Sequence, residues 1–310
     1  MKHTILGAGG PIARHLAKEL IALQKEVRLV SRNPINTAAG EEWLKADLSN
    51  REEVFAALEG SEVAYLTIGF PYKLAIWQEY WPPLMKNVTD ACILLGVKLV
   101  FFDNIYALSK KHLDPITENA PIIPCSKKGV IRAEVVKIFL EAIEKKGLTG
   151  LIARSADFIT LDENKGLVKP LVYDRLKKGK KAQWICNANV VHNFSYLPDL
   201  GKGTAILGTT PEAFQQIWNL PTDKSRITGA DWIKLFAHRM HQQQAYSILP
   251  GTMIKLIGLF VPVMHEMGEM LYQYSNDYFF DSSKFNQHFA YTPSTPTEIV
   301  NELLADVGIN

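Results

Sequence analysis

Tyr106 stands four residues before Lys110 in the stretch DNIYALSKK, with Ser109 just ahead of the lysine. On a helix, residues at i and i+4 share one face, so an ammonium there lies close enough to a phenol to favour its ionised form. Such a phenol can give or take a proton, which is general acid–base chemistry. The setting argues against a helix. The pair follows the strand-like run KLVFF (98–102) by only a few residues, and KHLDPITENAPIIP comes next with three prolines. Any helix there is a turn or two at most.

A second chemical signal lies near the start of the chain. Between the apolar run HTIL (3–6) and the amphipathic segment IARHLAKELIALQ (12–24) sits GAGGPIA, with Gly7, Gly9, Gly10, Pro11, Ile12 and Ala13. A glycine turn that leaves a strand and opens a helix is the context in which this motif grips a dinucleotide. Gly7 permits the tight bend, Gly9 lets the backbone approach a pyrophosphate, and Ala13 still allows close helix–strand packing. The helix start then offers amides and a partial positive charge to the phosphates, with residues 7 and 9–12 as the candidate contacts. At the end of the next strand-like run stand Ser31 and Arg32, where an acidic residue would accept ribose hydroxyls. A guanidinium there can pair with a 2′-phosphate, so the expected cofactor is NADP, with NAD the alternative. Arg32 as a solvated surface residue is the plainer reading. Asp47, in KADLSN beside Leu48, could accept from an adenine amino group or cap the following helix.

These residues need elements to hold them. EVRLVSR (26–32), WLKADL (43–48), EVAYLTIG (62–69), KLVFF (98–102) and LTGLIAR (148–154) read as strands. EEVFAALEG (52–60), a stretch from about 77 to 95, and KKGVIRAEVVKIFLEAIEKKG (127–147) read as helices. This alternation predicts an α/β fold, a Rossmann-type doubly wound parallel sheet. The later part is less regular, with strands near 183–188 and 215–220 and helices near 229–242, 251–272 and 296–306. The expected organisation is a dinucleotide-binding domain over 1–157, rejoined by strands near 183–220. A smaller, interleaved substrate cap is expected over 158–310.

With these motifs in order, the chain resembles the extended or atypical short-chain dehydrogenase/reductases, which include sugar-nucleotide epimerases and dehydratases. GAGGPIA is similar to their cofactor turn and ADLSN to their adenine-contacting segment. LTIGF (66–70) sits where their fourth strand meets the cofactor, so the resemblance adds Thr67, Ile68 and Gly69 to the candidate contacts. ARSADF (153–158) is similar to the segment passing near the nicotinamide, and HNFSYLPDLGKG (192–203) to the late strand and helix. FFDSSKFNQHFAYTPSTPTEIV (279–300) is similar to the closing part of the cap. The resemblance implies hydride transfer to or from a small polar substrate held under the cap. It makes Asp157 and Phe158 candidate substrate contacts. His192 could meet a substrate phosphate or carboxylate, or be a hydrogen-bonded structural histidine.

The family's tyrosine and lysine belong on the helix near 127–147. Aligning by Glu134 puts Ser126 and Val130 at those places, and the preceding strand ends FFDN where a serine or threonine belongs. Tyr106 instead resembles a family tyrosine that follows the fifth strand. The proton donor is then Tyr106, a substituted group or water. The alternative is a catalytically inactive NADP(H)-binding redox sensor. Lys127 and Lys128 could reach the cofactor from the helix start, the plainer reading being a solvated, helix-capping role. Trp77, Tyr80 and Trp81 could line a pocket or pack in the core at helical spacing.

The remaining composition narrows the classes. A formal net charge of +2 gives no reason to expect a nucleic-acid or membrane partner, and KKGKK (177–181) reads as a solvated loop. Cys92, Cys125 and Cys186 are scattered, without CxxC spacing, and no signal-peptide pattern is seen, which together predict a cytoplasmic protein. His238, His241 and His265 lack carboxylate or cysteine partners in sequence, so no metal site is expected. Residues 247–264 are apolar but broken by Pro250, Gly251, Lys255 and Pro262. They predict a buried or groove-lining helix rather than a membrane contact.

Overall fold

The computed structural model describes residues 2–162 and 166–309. The chain forms two compact units, each assembled from separated segments. The first comprises residues 1–108, 122–155 and 197–220. Its strands, numbered in chain order, are β1 (Lys2–Leu6), β2 (Val27–Ser31), β3 (Glu41–Lys45), β4 (Ser61–Leu66), β5 (Lys98–Asp103), β6 (Gly150–Arg154) and β10 (Ile217–Asn219). Its helices are α1 (Pro11–Ala22), α2 (Arg51–Leu58), α3 (Leu74–Leu95), α4 (Lys127–Lys146) and α6 (Leu197–Thr209).

The seven strands form one sheet in the order β10-β6-β5-β4-β1-β2-β3, parallel throughout. The order reverses between β1 and β4, the place where a doubly wound sheet opens a crevice at its strand ends. Central strands are covered on both faces and read as nearly continuous apolar runs, as in SEVAYL of β4. The edge strand β3, EEWLK, is the polar exception. On α1 the buried residues Ile12, Ala13, Leu16, Ala17 and Leu20 form one stripe. Gly201 on α6 meets α1 so closely that a Cβ there would lie 2.5 Å from that of His15.

His3 on β1 is buried, with Nδ1 2.8 Å from the Tyr65 hydroxyl. Burial, the largest cause, pulls its pKa from 6.5 down to about 4. The unfolded chain therefore takes up a proton at a pH where the folded chain resists it. Stability is full above about pH 6.5 and falls as pH drops toward 4, by on the order of 2 kcal/mol after allowance for screening. Melting temperature measured from pH 7 to 4.5 is expected to fall less steeply in His3→Gln than in the wild type. Parallel curves would show that His3 is not the titrating group.

The second unit comprises residues 109–121, 156–196 and 221–310. It holds β7 (Asp157–Ile159) paired with β9 (Phe194–Tyr196), and β8 (Ala182–Ile185) paired with β11 (Tyr246–Leu249). Its helices are α5 (Asp174–Lys177), α7 (Gly229–Arg239), α8 (Gly251–Ile257), α9 (Pro262–Met267), α10 (Ser283–His288) and α11 (Pro296–Asp306). The strand near 183–188 thus does not rejoin the large sheet as expected. It pairs with β11, a strand with no period-2 pattern strong enough to announce it; only residues 197–220 return to the first unit.

The expected helix over 251–272 is also corrected. It breaks into α8, α9 and a 3-10 segment, Gly268–Tyr274, with Gly258 and Pro262 at the interruptions. It is not buried: Leu256, Leu259 and Phe260 are 62%, 71% and 84% exposed. Among the described residues no helix is long and apolar enough to cross a membrane.

Candidate functional site

β1 ends at Leu6 and the chain bends at once. Gly7 has φ of 99°, a region costly for any residue with a Cβ, and a Cβ there would lie 2.5 Å from the Ile68 Cα. The bend therefore lies against Thr67 and Ile68 as the chain leaves β4. The Thr67 N–H and hydroxyl both donate to the Leu6 carbonyl, at 3.0 and 3.3 Å. The Gly10 N–H donates to the Gly7 carbonyl at 3.0 Å and closes the turn. Gly10 is also the N-cap of α1, bringing no side chain to occupy the first-turn amides, and Pro11 follows at N1. Gly9 is exposed, and a Cβ there would meet no atom within 4 Å. An anion over Gly9 thus finds space that any side chain would fill, together with the positive end of a twelve-residue helix. A dinucleotide diphosphate fits this cradle.

Beyond the bend, β2 ends at Ser31. Its hydroxyl accepts from Trp43 Nε1 at 3.0 Å and donates to the Asn33 carbonyl at 2.7 Å, within the turn that carries Arg32 exposed. Asp47 follows β3, and its Oδ1 accepts from the Ser49 N–H and hydroxyl at 2.9 and 2.8 Å. These bonds hold the carboxyl below its ordinary pKa, and Arg32 adds to the effect. Asp47 does not cap α2; Asn50 does, accepting from the Glu52 and Glu53 amides. Leu48 beside it is buried. Tyr80 on α3 belongs to the same neighbourhood. Its phenol is raised above the usual value, first by a hydrogen bond with Glu79, with Asp47 and Arg32 also acting on it. Trp77 and Trp81 lie in the core, but Tyr80 does not.

The stretch YALSK forms no helix. Tyr106 lies in a turn whose N–H donates to Asn104 Oδ1 at 2.9 Å, and Lys110 opens a separate 3-10 turn capped by Ser109. The Tyr106 ring stacks on Trp77 at 6.1 Å, and Trp77 meets the edge of Tyr72. Lys128 places its ammonium 4.4 Å from the Tyr72 ring centroid and is fully buried. This corrects the solvated reading of Lys128, whereas Lys127 is exposed. Ser126 is occupied as the N-cap of α4, accepting from the Gly129 N–H at 3.0 Å, and Val130 is exposed. Asp103, in the FFDN strand end, is buried against Arg132, whose Nε donates at 3.0 Å. Arg132 in turn lies over Trp81. That carboxylate is therefore engaged in structure.

In the second unit, Asp157 and Phe158 are partly exposed, whereas His192 is fully buried. The His192 ring is sandwiched between Tyr274 and Tyr278, at 4.4 and 4.7 Å and nearly parallel to both. Its Nδ1 lies 3.3 Å from the Gln273 carbonyl, and Nε2 lies 3.3 Å from Asp157 Oδ2, off the line of a hydrogen bond. Tyr274 donates to the same oxygen at 3.1 Å. Direct contact between His192 and a ligand is thus ruled out by its two covered faces; Asp157 is the exposed member of the group. Among the described residues no cluster of His, Cys, Asp and Glu could hold a metal ion.

Residues 7–121 match the family of NAD(P)H-binding domains. The fold is shared with solved sugar-nucleotide epimerases. A UDP-N-acetylglucosamine 4-epimerase from Bacillus cereus superposes with a TM-score of 0.77 at 16% identity, covering 100% of this chain and 98% of that one. The UDP-glucuronic acid 4-epimerase of Bacillus cereus, in complex with NAD, gives 0.78 at 15% identity over 99% and 100%. The Thermus thermophilus UDP-glucose 4-epimerase, also with NAD, gives 0.73 at 15% identity over 98% and 99%. No curated protein matches the sequence. Tyr80, read from sequence as pocket-lining or core, and Lys128, read together with Lys127, are site neighbours that the sequence did not single out. Tyr80 shares its helix with core tryptophans, and Lys128 follows an equally basic neighbour, so neither carried a distinguishing signal.

Proposed function

We propose that the chain is an NADP-dependent oxidoreductase or epimerase/dehydratase-like enzyme acting on a small polar substrate. The observation that carries this reading is the glycine bend, which leaves the space over Gly9 clear at the start of α1. Residues 7 and 9–12 surround the diphosphate, and the Gly9 and Ile12 N–H groups donate to it, while Gly7 and Gly10 donate within the protein and Pro11 carries no N–H. Arg32 pairs with the 2′-phosphate, Ser31 shapes the turn that presents it, and Asp47 accepts from the adenine amino group beside Leu48. Thr67, Ile68 and Gly69 line the path past β4. The nicotinamide supplies the hydride donor or acceptor. Tyr106 holds the proton that balances hydride movement, or orients a water that does so. Asp157 and Phe158 are substrate contacts in the second unit, with His192 supporting Asp157 from behind.

A redox sensor without turnover is the second reading. It is favoured by the absence of a phenol–ammonium pair from α4, where Ser126 and Val130 stand. Fluorescence titration with NADPH and NADH, followed by a carbonyl panel scored by cofactor oxidation, separates the two. Tighter NADPH binding with turnover supports the enzyme; saturable binding without turnover across the panel supports the sensor. No binding of either dinucleotide overturns both.

A further inference from the structure

Residues 251–261 end in an apolar tip. On α8, Ile254 turns inward while Met253, Leu256 and Ile257 are exposed, and Leu259, Phe260 and Val261 follow, also exposed. Single exposed leucines are ordinary, but a contiguous group of bulky apolar side chains marks an interaction surface. Lys255 is the one charge from residue 246 to 264, with His265 and Glu266 just beyond.

The same ribbon carries a basic cluster. β11 leads into α8 and pairs in parallel with β8. The turn preceding β8 exposes Lys177, Lys178, Lys180 and Lys181. Gly179, with φ of 66°, and a bond from Arg175 Nε to the Lys181 carbonyl at 2.7 Å hold that turn. The adjacent carboxylate, Asp174, is paired with Lys169 at 3.1 Å, so it does not offset the four lysines. Two paired strands of four residues separate the basic turn from the base of α8 by roughly 13 Å.

We propose that the second unit docks on an anionic lipid surface, with residues 256–261 at the boundary of headgroups and acyl chains and the lysines of 177–181 on acidic headgroups. A seven-residue helix is far too short to span a bilayer, but it suits an interfacial seat. An apolar tip alone would serve any partner. Among the described residues none of the four exposed lysines forms an ion pair, so this end of the ribbon favours a negatively charged surface, and stable peripheral binding takes two such signals together.

Sedimentation of the full chain with phosphatidylcholine vesicles, with and without phosphatidylserine, tests this without cofactor or substrate. Binding is expected to be about tenfold or more stronger on the serine-containing vesicles and to weaken in high salt. Leu259→Asp with Phe260→Asp is expected to lower it at least about tenfold. Changing Lys177, Lys178, Lys180 and Lys181 to Glu is expected to abolish the preference for acidic lipid. All these positions are exposed, and unchanged melting temperatures confirm that the variants fold. Failure to bind acidic vesicles, or binding indifferent to both sets of changes, overturns the proposal. So does a dimer in light scattering that Phe260→Asp dissociates, because the tip would then belong to a second copy of the chain.

Discussion

Gly9→Val is expected to abolish tight NADPH binding while leaving the fold intact. The residue is exposed, its φ lies outside the left-handed region, and a Cβ there meets no protein atom within 4 Å. A Cβ at this exposed position meets no protein atom, so the melting temperature should move by no more than about 2 °C. The valine methyl groups occupy the volume a phosphate needs to reach the first-turn amides. Loss of those contacts, about 3 kcal/mol, corresponds to roughly a hundredfold rise in Kd by fluorescence titration. Gly7→Ala makes the contrast. At φ of 99°, with its Cβ 2.5 Å from the Ile68 Cα, it must disturb the backbone and lower the melting temperature as well as the affinity. Wild-type affinity in Gly9→Val would remove the bend from the cofactor site altogether.

Arg32→Asp is expected to reverse the cofactor preference. The wild-type guanidinium is exposed at the end of β2, and Asp47 and Tyr80 lie within its field. Removing it forfeits a charge-assisted pair with the 2′-phosphate, and the new carboxylate repels that group, together weakening NADPH by about a hundredfold. NADH, which presents hydroxyls there, should bind as well or better, because a carboxylate can accept from them. Titration of both dinucleotides against both proteins measures the ratio. An unchanged preference would mean that Arg32 is a solvated surface residue and that NADP is the wrong assignment.

The parallel sheet was legible because its signals are local. HTIL ends at a glycine turn, IARHLAKEL carries one apolar stripe, and α4 opens on Ser126 and closes on Gly147 in left-handed conformation. The glycine bend was legible for the same reason. Tertiary placement was not. Lys127 and Lys128 are identical letters one position apart, yet the helical step of about 100° sends one to solvent and buries the other against Tyr72. His192 carries no sequence mark of its two tyrosine neighbours, which come from positions about eighty residues later. The apolar run over 247–264 has the composition of a core segment, but Gly258 and Pro262 break the helix that could have turned it inward.

The return of residues 197–220 to the first unit bears on how the chain is made. A ribosome that has released only the first 160 or so residues has delivered six of the seven strands. At that point β6 has an open edge and the face of α1 that Gly201 approaches has no cover. Completion waits for α6 and β10, so this sheet closes late in synthesis and nascent chains remain vulnerable to edge-to-edge association until then. A fragment cut after β6 would inherit the same unfinished edge permanently.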